Sequence, residues 1–273
     1  METMTSDLAK PYHVDAELSA RYRHDGHILF RGVATPEEVD YYRPLITGLV
    51  DALAKIRQVR MAMDVTRPLF AQVTNIWQKS GEIEEFVFGR RFASIAAALM
   101  GVRGVRLYHD EAQMKEPGGY PTPWHKDHYN WPLGTHHTIK MWLALSDIRA
   151  EMGAARFATG THRAGQFPEV LPSYEYDQLF ERIIHTHKVP IVTYPMRAGD
   201  ALFFSGEILH SALANSSGDR RETLAIIYFE DGTRVIEPNR ENRRLDMEEF
   251  LPSLKPGDLA ASPLNPVLYS SGS

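Results

Sequence analysis

Apolar residues between positions 36 and 56 recur three and four apart: Val39, Tyr42, Leu45, Ile46, Leu49, Val50, Leu53 and Ile56. That spacing puts them on one face of a helix. Thr35-Pro36-Glu37-Glu38 supplies its start, with Thr35 as N-cap, proline at the first helical position and a glutamate at the third, a capping box. A second helical pattern covers about Gly81 to Met100, with Gly89 as its bending point and Gly101 as the residue that ends it. The stretch 1–101 therefore reads as mainly helical.

From Val102 the pattern shortens to strands separated by turn signals. Val105 to Lys115, Thr138 to Ser146, Ala155 to Ala158, Val189 to Tyr194, Ala201 to Phe204, His210 to Ala214 and Thr223 to Glu230 all read as strands. Many short strands without long helices between them predict a mainly β fold, a closed sandwich or jelly roll, over 102–231. Residues 161–188 form a long insertion with Phe167, Tyr174, Tyr176 and Phe180, which reads as a lid. The tail 232–273 is charged and proline-rich, and Ser270 to Ser273 are expected to be disordered. A single domain is the expected organisation of the 273 residues.

Composition narrows the function. A formal net charge of −5 and the absence of a long Lys/Arg run disfavour a nucleic acid or an anionic membrane as partner. With no cysteine, any metal must sit on His, Asp or Glu. Met1 to Lys10 is polar and no apolar run is long enough to cross a bilayer, so a cytoplasmic protein is expected.

Candidate chemistry centres on Trp124-His125-Lys126-Asp127. On a strand, His125 and Asp127 share a face. With the distant His210 they make two imidazoles and one carboxylate, the set that leaves open positions on a non-haem iron(II). The bland alternatives are a turn histidine, a surface aspartate and a core histidine bonded to a carbonyl. Arg197-Ala198-Gly199-Asp200 and Asn215-Ser216-Ser217-Gly218-Asp219 read as turns, which would put His210 and Arg221 on adjacent strands of one hairpin. Arg220 competes with Arg221, but Thr223, Ala225 and Ile227 share the parity of Arg221. A guanidinium facing inward needs an anion, either a protein carboxylate or a dicarboxylate such as a 2-oxo acid bound to the metal.

Several stretches carry a resemblance to a known family. They are Asp25-Gly26-His27-Ile28-Leu29-Phe30-Arg31-Gly32, Lys115-Glu116-Pro117-Gly118-Gly119, Thr122 through Asp127, Met141-Trp142-Leu143-Ala144-Leu145-Ser146-Asp147, Gly199-Asp200-Ala201-Leu202, and His210 with Arg221. Over about residues 20 to 230 the chain resembles the phytanoyl-CoA dioxygenase family of Fe(II)/2-oxoglutarate oxygenases. Among bacterial members it is similar to those that tailor polyketides, including ones that epimerise or cyclise the sugar of nogalamycin-type anthracyclines.

The resemblance implies a double-stranded β-helix, a cupin-like jelly roll with N-terminal helices packed on it. It implies iron(II) on His125, Asp127 and His210, 2-oxoglutarate held by Arg221, and dioxygen as oxidant. Gln113, Thr122 and Trp142 match positions that touch the co-substrate in similar enzymes. The implied reaction removes hydrogen from a small molecule, with hydroxylation, epimerisation or cyclisation as outcome. The aromatic insertion and Trp131 suggest a cover for a fairly large apolar or polycyclic substrate, the alternative being that these aromatics pack on the barrel. The chain departs from the family pattern at Met152-Gly153, at Thr159-Gly160-Thr161-His162 and at Ala212. The competing reading is a metal-dependent isomerase or hydrolase that does not use 2-oxoglutarate.

Overall fold

In the computed structural model the described residues are 7–61, 69–163, 167 and 174–272, with backbone alone for 54–61 and 174–175. The side chains of Ile56 and Tyr174 and the whole of Ser273 lie outside them. Among the described residues the chain forms α1 (Ala16–Asp25), β1 (His27–Phe30), α2 (Pro36–Met61), β2 (Phe70–Thr74), α3 (Gly81–Val87), α4 (Arg90–Met100), β3 (Gly104–Lys115) and β4 (Thr122–His125). There follow β5 (Thr138–Ala144), β6 (Ala155–Ala158), α5 (Tyr174–Thr186), β7 (Ile191–Thr193), β8 (Ala201–Ser205), β9 (His210–Ala212), β10 (Arg221–Glu230), α6 (Glu241–Phe250) and β11 (Val267–Ser270).

The capping box at Thr35 is present in both directions: the Glu38 amide donates to Thr35 Oγ1 (3.2 Å) and the Thr35 amide to the Glu38 carboxylate (2.9 Å). The pattern expected over 81–100 is two helices, because the chain breaks at Gly89 between α3 and α4. Gly101 ends α4 in the left-handed conformation, φ 73°. In the tail, β11 pairs with β3, so Ser270 is ordered, contrary to the disorder expected there. No signal in so polar a stretch marked α6 either.

The strands form two antiparallel sheets. The larger runs β1-β8-β5-β10-β3-β11 with β2 also on β3, and the smaller runs β4-β9-β6-β7. Alternation sorts the large sheet into two cores. Leu143, Met141, Phe203, Leu224 and Ile226 face the helices, where α4 lies against β3, β5 and β10. Trp142, Ala144, Leu202, Phe204, Ala225 and Ile227 face the space between the sheets. Each large apolar side chain buried this way contributes about 1.5–3 kcal/mol. With both faces buried these strands carry little polar alternation, which is why they read as apolar runs.

One irregularity directs the chemistry. Along β3 and β10, Ile227 pairs with His109 and Tyr228 with Leu107, so Tyr108 is an extra residue on β3. This bulge switches the parity of the strand. Val105 and Leu107 face the helices before it, and Ala112 and Met114 after it. His109, Glu111 and Gln113 are thereby turned into the space between the sheets.

Gly199 closes the turn before β8 at φ +88°, and a Cβ there would stand 2.3 Å from the Ala34 carbonyl oxygen. Gly199→Ala is expected to cost about 1–3 kcal/mol from the backbone conformation alone. A thermal melt should show the midpoint several degrees lower; an unchanged midpoint would mean that the turn opens freely.

Candidate metal centre

His125 ends β4 and His210 begins β9, and the two are direct partners across the small sheet. Their rings lie 4.1 Å apart, centroid to centroid. The strand stops at His125, and Asp127 opens a 3-10 turn of three residues. The shared face expected of an unbroken strand is therefore not what joins His125 and Asp127. The turn does it instead, pinned by the His128 amide donating to the Gly206 carbonyl at 2.9 Å.

Each imidazole has one nitrogen committed. His125 Nδ1 donates to the Pro123 carbonyl (2.8 Å) and His210 Nδ1 to the Ile208 carbonyl (3.1 Å). This tautomer leaves both Nε2 lone pairs free, the arrangement that orients a ligating histidine. His125 Nε2 is 3.5 Å from Asp127 Oδ1, and His210 Nε2 is 3.8 Å from Asp127 Oδ2. One donor atom from each of the three lies within 4.8 Å of the others.

Burial, then the neighbouring His125, push the His210 imidazole down to about 3, so it stays neutral. Burial opposes ionisation of Asp127, but the Lys140 ammonium and the two imidazoles hold its carboxyl well below the usual range. Lys140 Nζ lies 2.8 Å from Asp127 Oδ2, yet that oxygen is buried without an aligned hydrogen bond. Two imidazoles with Nε2 turned toward an ionised carboxylate of unspent acceptor capacity fit a divalent cation.

The triad opens into a cavity of about 450 Å³ between the sheets. Arg221 lines the same cavity at 2% exposure. It does not reach there through a hairpin with His210, as the turn signals suggested. The chain crosses from β9 in the small sheet to β10 in the large one. The guanidinium packs 5.1 Å over the Trp142 ring and donates from Nη1 to the Gly153 carbonyl, while Nε has no partner. Among the described residues it pairs with no carboxylate, and burial pushes it down to about 10. Arg220 faces the other way and is spent on Asp51, Glu116 and Glu222.

Gln113, Thr122 and Trp142 also line the cavity. Trp142 Nε1 donates to Gln113 Oε1 (3.0 Å), and Gln113 Nε2 donates to Glu111 (2.8 Å). Lys140 donates to the same Glu111 oxygen at 3.0 Å. A continuous polar chain thus links the ring under Arg221 to the carboxylate of the triad. Lys140 was not foreseen, although its parity with Trp142 on an apolar strand marks a cation facing inward.

The aromatic insertion lies elsewhere, and so does a second histidine cluster. His136 and His137 line a separate cavity with Glu207, to which His136 Nδ1 bonds at 2.8 Å. In the insertion, Phe167 and Phe180 pack with Trp124 and Leu209 in a third cluster, on the side of β4 away from the cavity. The Trp124 indole donates to Glu181 (2.7 Å) and its amide to Asp177 (2.8 Å), fastening α5 to the strand that carries His125. Trp131 does line the cavity.

The chain is similar in sequence and fold to several known proteins. An Fe(II)/2-oxoglutarate-dependent dioxygenase, nvfF, of Aspergillus novofumigatus (strain IBT 16806) is 23% identical, the match covering 77% of this chain and 70% of that protein. Among solved structures, the carbocyclase SnoK from nogalamycin biosynthesis superposes with a TM-score of 0.72 at 24% identity, over 94% of this chain and 99% of the other. The epimerase SnoN, in complex with Fe3+, alpha ketoglutarate and nogalamycin RO, gives 0.73 at 24% identity over 92% and 97%. At that identity the two structures establish the fold, a jelly roll. The family model for phytanoyl-CoA dioxygenase (PhyH) matches residues 22–223, from the end of α1 into β10 and across the whole triad, and the chain belongs to that family.

Proposed function

We propose that His125, Asp127 and His210 hold iron(II), that Arg221 binds the far carboxylate of 2-oxoglutarate, and that the enzyme removes hydrogen from a small natural product. The observation that carries this reading is Arg221. A guanidinium this deeply buried and without a carboxylate partner is costly unless an anion completes it. It lines the cavity into which the triad opens.

Iron(II) and 2-oxoglutarate bound there supply the oxidising chemistry, consuming dioxygen and releasing succinate and CO2. The residues of the chain prepare that reaction. The Pro123 and Ile208 carbonyls hold both imidazoles in the ligating tautomer. Lys140 fixes Asp127 as the ionised ligand and Glu111 as its counter-charge. The planar Arg221 fork is oriented by Trp142 and the Gly153 carbonyl. Trp142 and Gln113, tied to each other, form a wall along the co-substrate rather than flexible arms.

A metal-dependent isomerase or hydrolase would need no dicarboxylate and would leave Arg221 uncompensated. The outcome on substrate, whether hydroxylation as in most such enzymes or the epimerisation and ring closure ascribed to SnoN and SnoK, depends on how the substrate radical is quenched. The deciding experiment is an anaerobic titration of the iron(II)-loaded protein with 2-oxoglutarate. A visible metal-to-ligand charge-transfer band should grow to saturation at one equivalent. With iron demonstrably bound, absence of the band would reject the reading.

A further inference from the structure

The cavity over the triad is electrically divided. Arg221 stands at the co-substrate end. The other end is formed by α6, whose Asp246 and Glu249 are three residues apart and so share a face of the helix. Asp246 Oδ2 accepts from the Tyr108 hydroxyl (3.0 Å) and Glu249 Oε1 from the Thr74 hydroxyl (2.8 Å). Both donors are neutral. Among the described residues neither carboxylate has a Lys or Arg partner.

Charge counting shows what is missing. Among the described residues the ionisable side chains that line the cavity, histidines aside, are Glu111, Asp127, Asp246 and Glu249 against Lys140 and Arg221. Four carboxylates against two cations leave two negative charges. Iron(II) and a dianionic 2-oxoglutarate cancel each other, so the loaded site keeps that excess. Lys140 is committed to Glu111 and Asp127, and Arg221 lies at the far end. Asp246 and Glu249 are therefore the two lining carboxylates that no Lys or Arg meets among the described residues.

Aromatic faces surround the same end. Phe250, next to Glu249 on α6, stacks on His109 with ring centroids 4.0 Å apart at 16°. Trp131 closes the wall beside them. Ring faces next to carboxylates suit an organic ammonium group, which draws on both cation–π attraction and ion pairing. Burial, and then the nearby Glu249, Asp127 and Glu111, push the Asp246 carboxyl up to about 7. Burial is the largest cause, and the neighbouring carboxylates add to it.

We propose that the substrate is an organic cation, a protonated amine on an apolar or ring skeleton, whose ammonium group seats between Asp246 and Glu249 while its reacting carbon faces the triad. This rests on the oxygenase reading, since it takes the cavity over the triad as the substrate site. It adds a charge to the apolar or polycyclic substrate expected from the aromatic insertion, whose Phe167 and Phe180 pack with Trp124 away from this cavity.

The test uses three compounds of one shape and different charge: 4-phenylbutylamine, 4-phenylbutan-1-ol and 4-phenylbutanoate. Each is titrated calorimetrically into anaerobic enzyme saturated with iron(II) and 2-oxoglutarate. The amine should bind at least about tenfold more tightly than the alcohol, and the carboxylate most weakly. In the double variant Asp246→Asn/Glu249→Gln the ratio of amine to alcohol affinity should fall to about one. Equal affinities in the wild type, no binding of the amine, or a preference that survives in the double variant would each overturn the proposal. Should the double variant fail to fold, Glu249→Gln alone, at an exposed position, should still reduce the ratio severalfold, and an unchanged ratio would count against it. Failure of the oxygenase reading shows separately, as absence of the charge-transfer band before any amine is added.

Discussion

Replacing His210 with Ala is expected to abolish turnover, by at least roughly a thousandfold, and to strip most of the bound iron. His210 sits opposite His125 in the small sheet and contributes one of three donors. Loss of a partner that merely orients a ligand costs about 10–100-fold in such sites, and loss of a ligand itself costs more. The substitution also leaves Asp127 facing one imidazole instead of two, with Lys140 as its main attraction. Metal content after gel filtration and succinate release with substrate are the measurements, with circular dichroism as the check on folding. Full activity in this variant would end the iron assignment.

Exchanging Arg221 for Lys should raise the 2-oxoglutarate concentration needed for half-saturation by about 10–100-fold, with iron binding little changed. The lysine keeps a charge but loses the fork that meets a carboxylate with two parallel bonds. It also loses the stacking on Trp142 and the bond to the Gly153 carbonyl that fix where the fork points. The burial that pushes Arg221 down to about 10 acts harder on an ammonium. Lys115, which is nearby, shows this: burial, and then Arg221, push it down to about 7. The saturation curve of the charge-transfer band reads the effect directly, and a curve identical to that of wild type would remove Arg221 from the role.

Much of this was legible along the chain, for reasons that differ by element. The helix from Pro36 and the strands β3, β5, β8 and β10 were readable because capping chemistry and burial act locally. So was the convergence of His125, Asp127 and His210, since the residue types and a return of the chain suffice to suggest it. Two local explanations were wrong while their consequences held. Asp127 is delivered by a 3-10 turn and not by strand parity, and Arg221 reaches the cavity from the opposite sheet and not through a hairpin with His210. In both cases the pairing partner lies far away in sequence and the intervening turn gives no sign of it. Glu249 and Asp246 were illegible for a stronger reason. A charged residue in a polar helix gains meaning only from what it faces, here a strand more than 130 positions earlier.

The extra residue at Tyr108 lets this scaffold lose one contact of the pocket without disturbing the rest. Deleting it would make β3 continuous opposite β10: His109, Glu111 and Gln113 would keep Ile227, Ala225 and Thr223 as partners and their place on the cavity wall, while the hydroxyl that holds Asp246 would be lost. A single codon lost would thus release one carboxylate of the pocket while β4 and β9, which carry the two histidines, stayed where they are. A bulge is in this sense a spare part of the wall, and related chains that accept different molecules are where its loss should be sought.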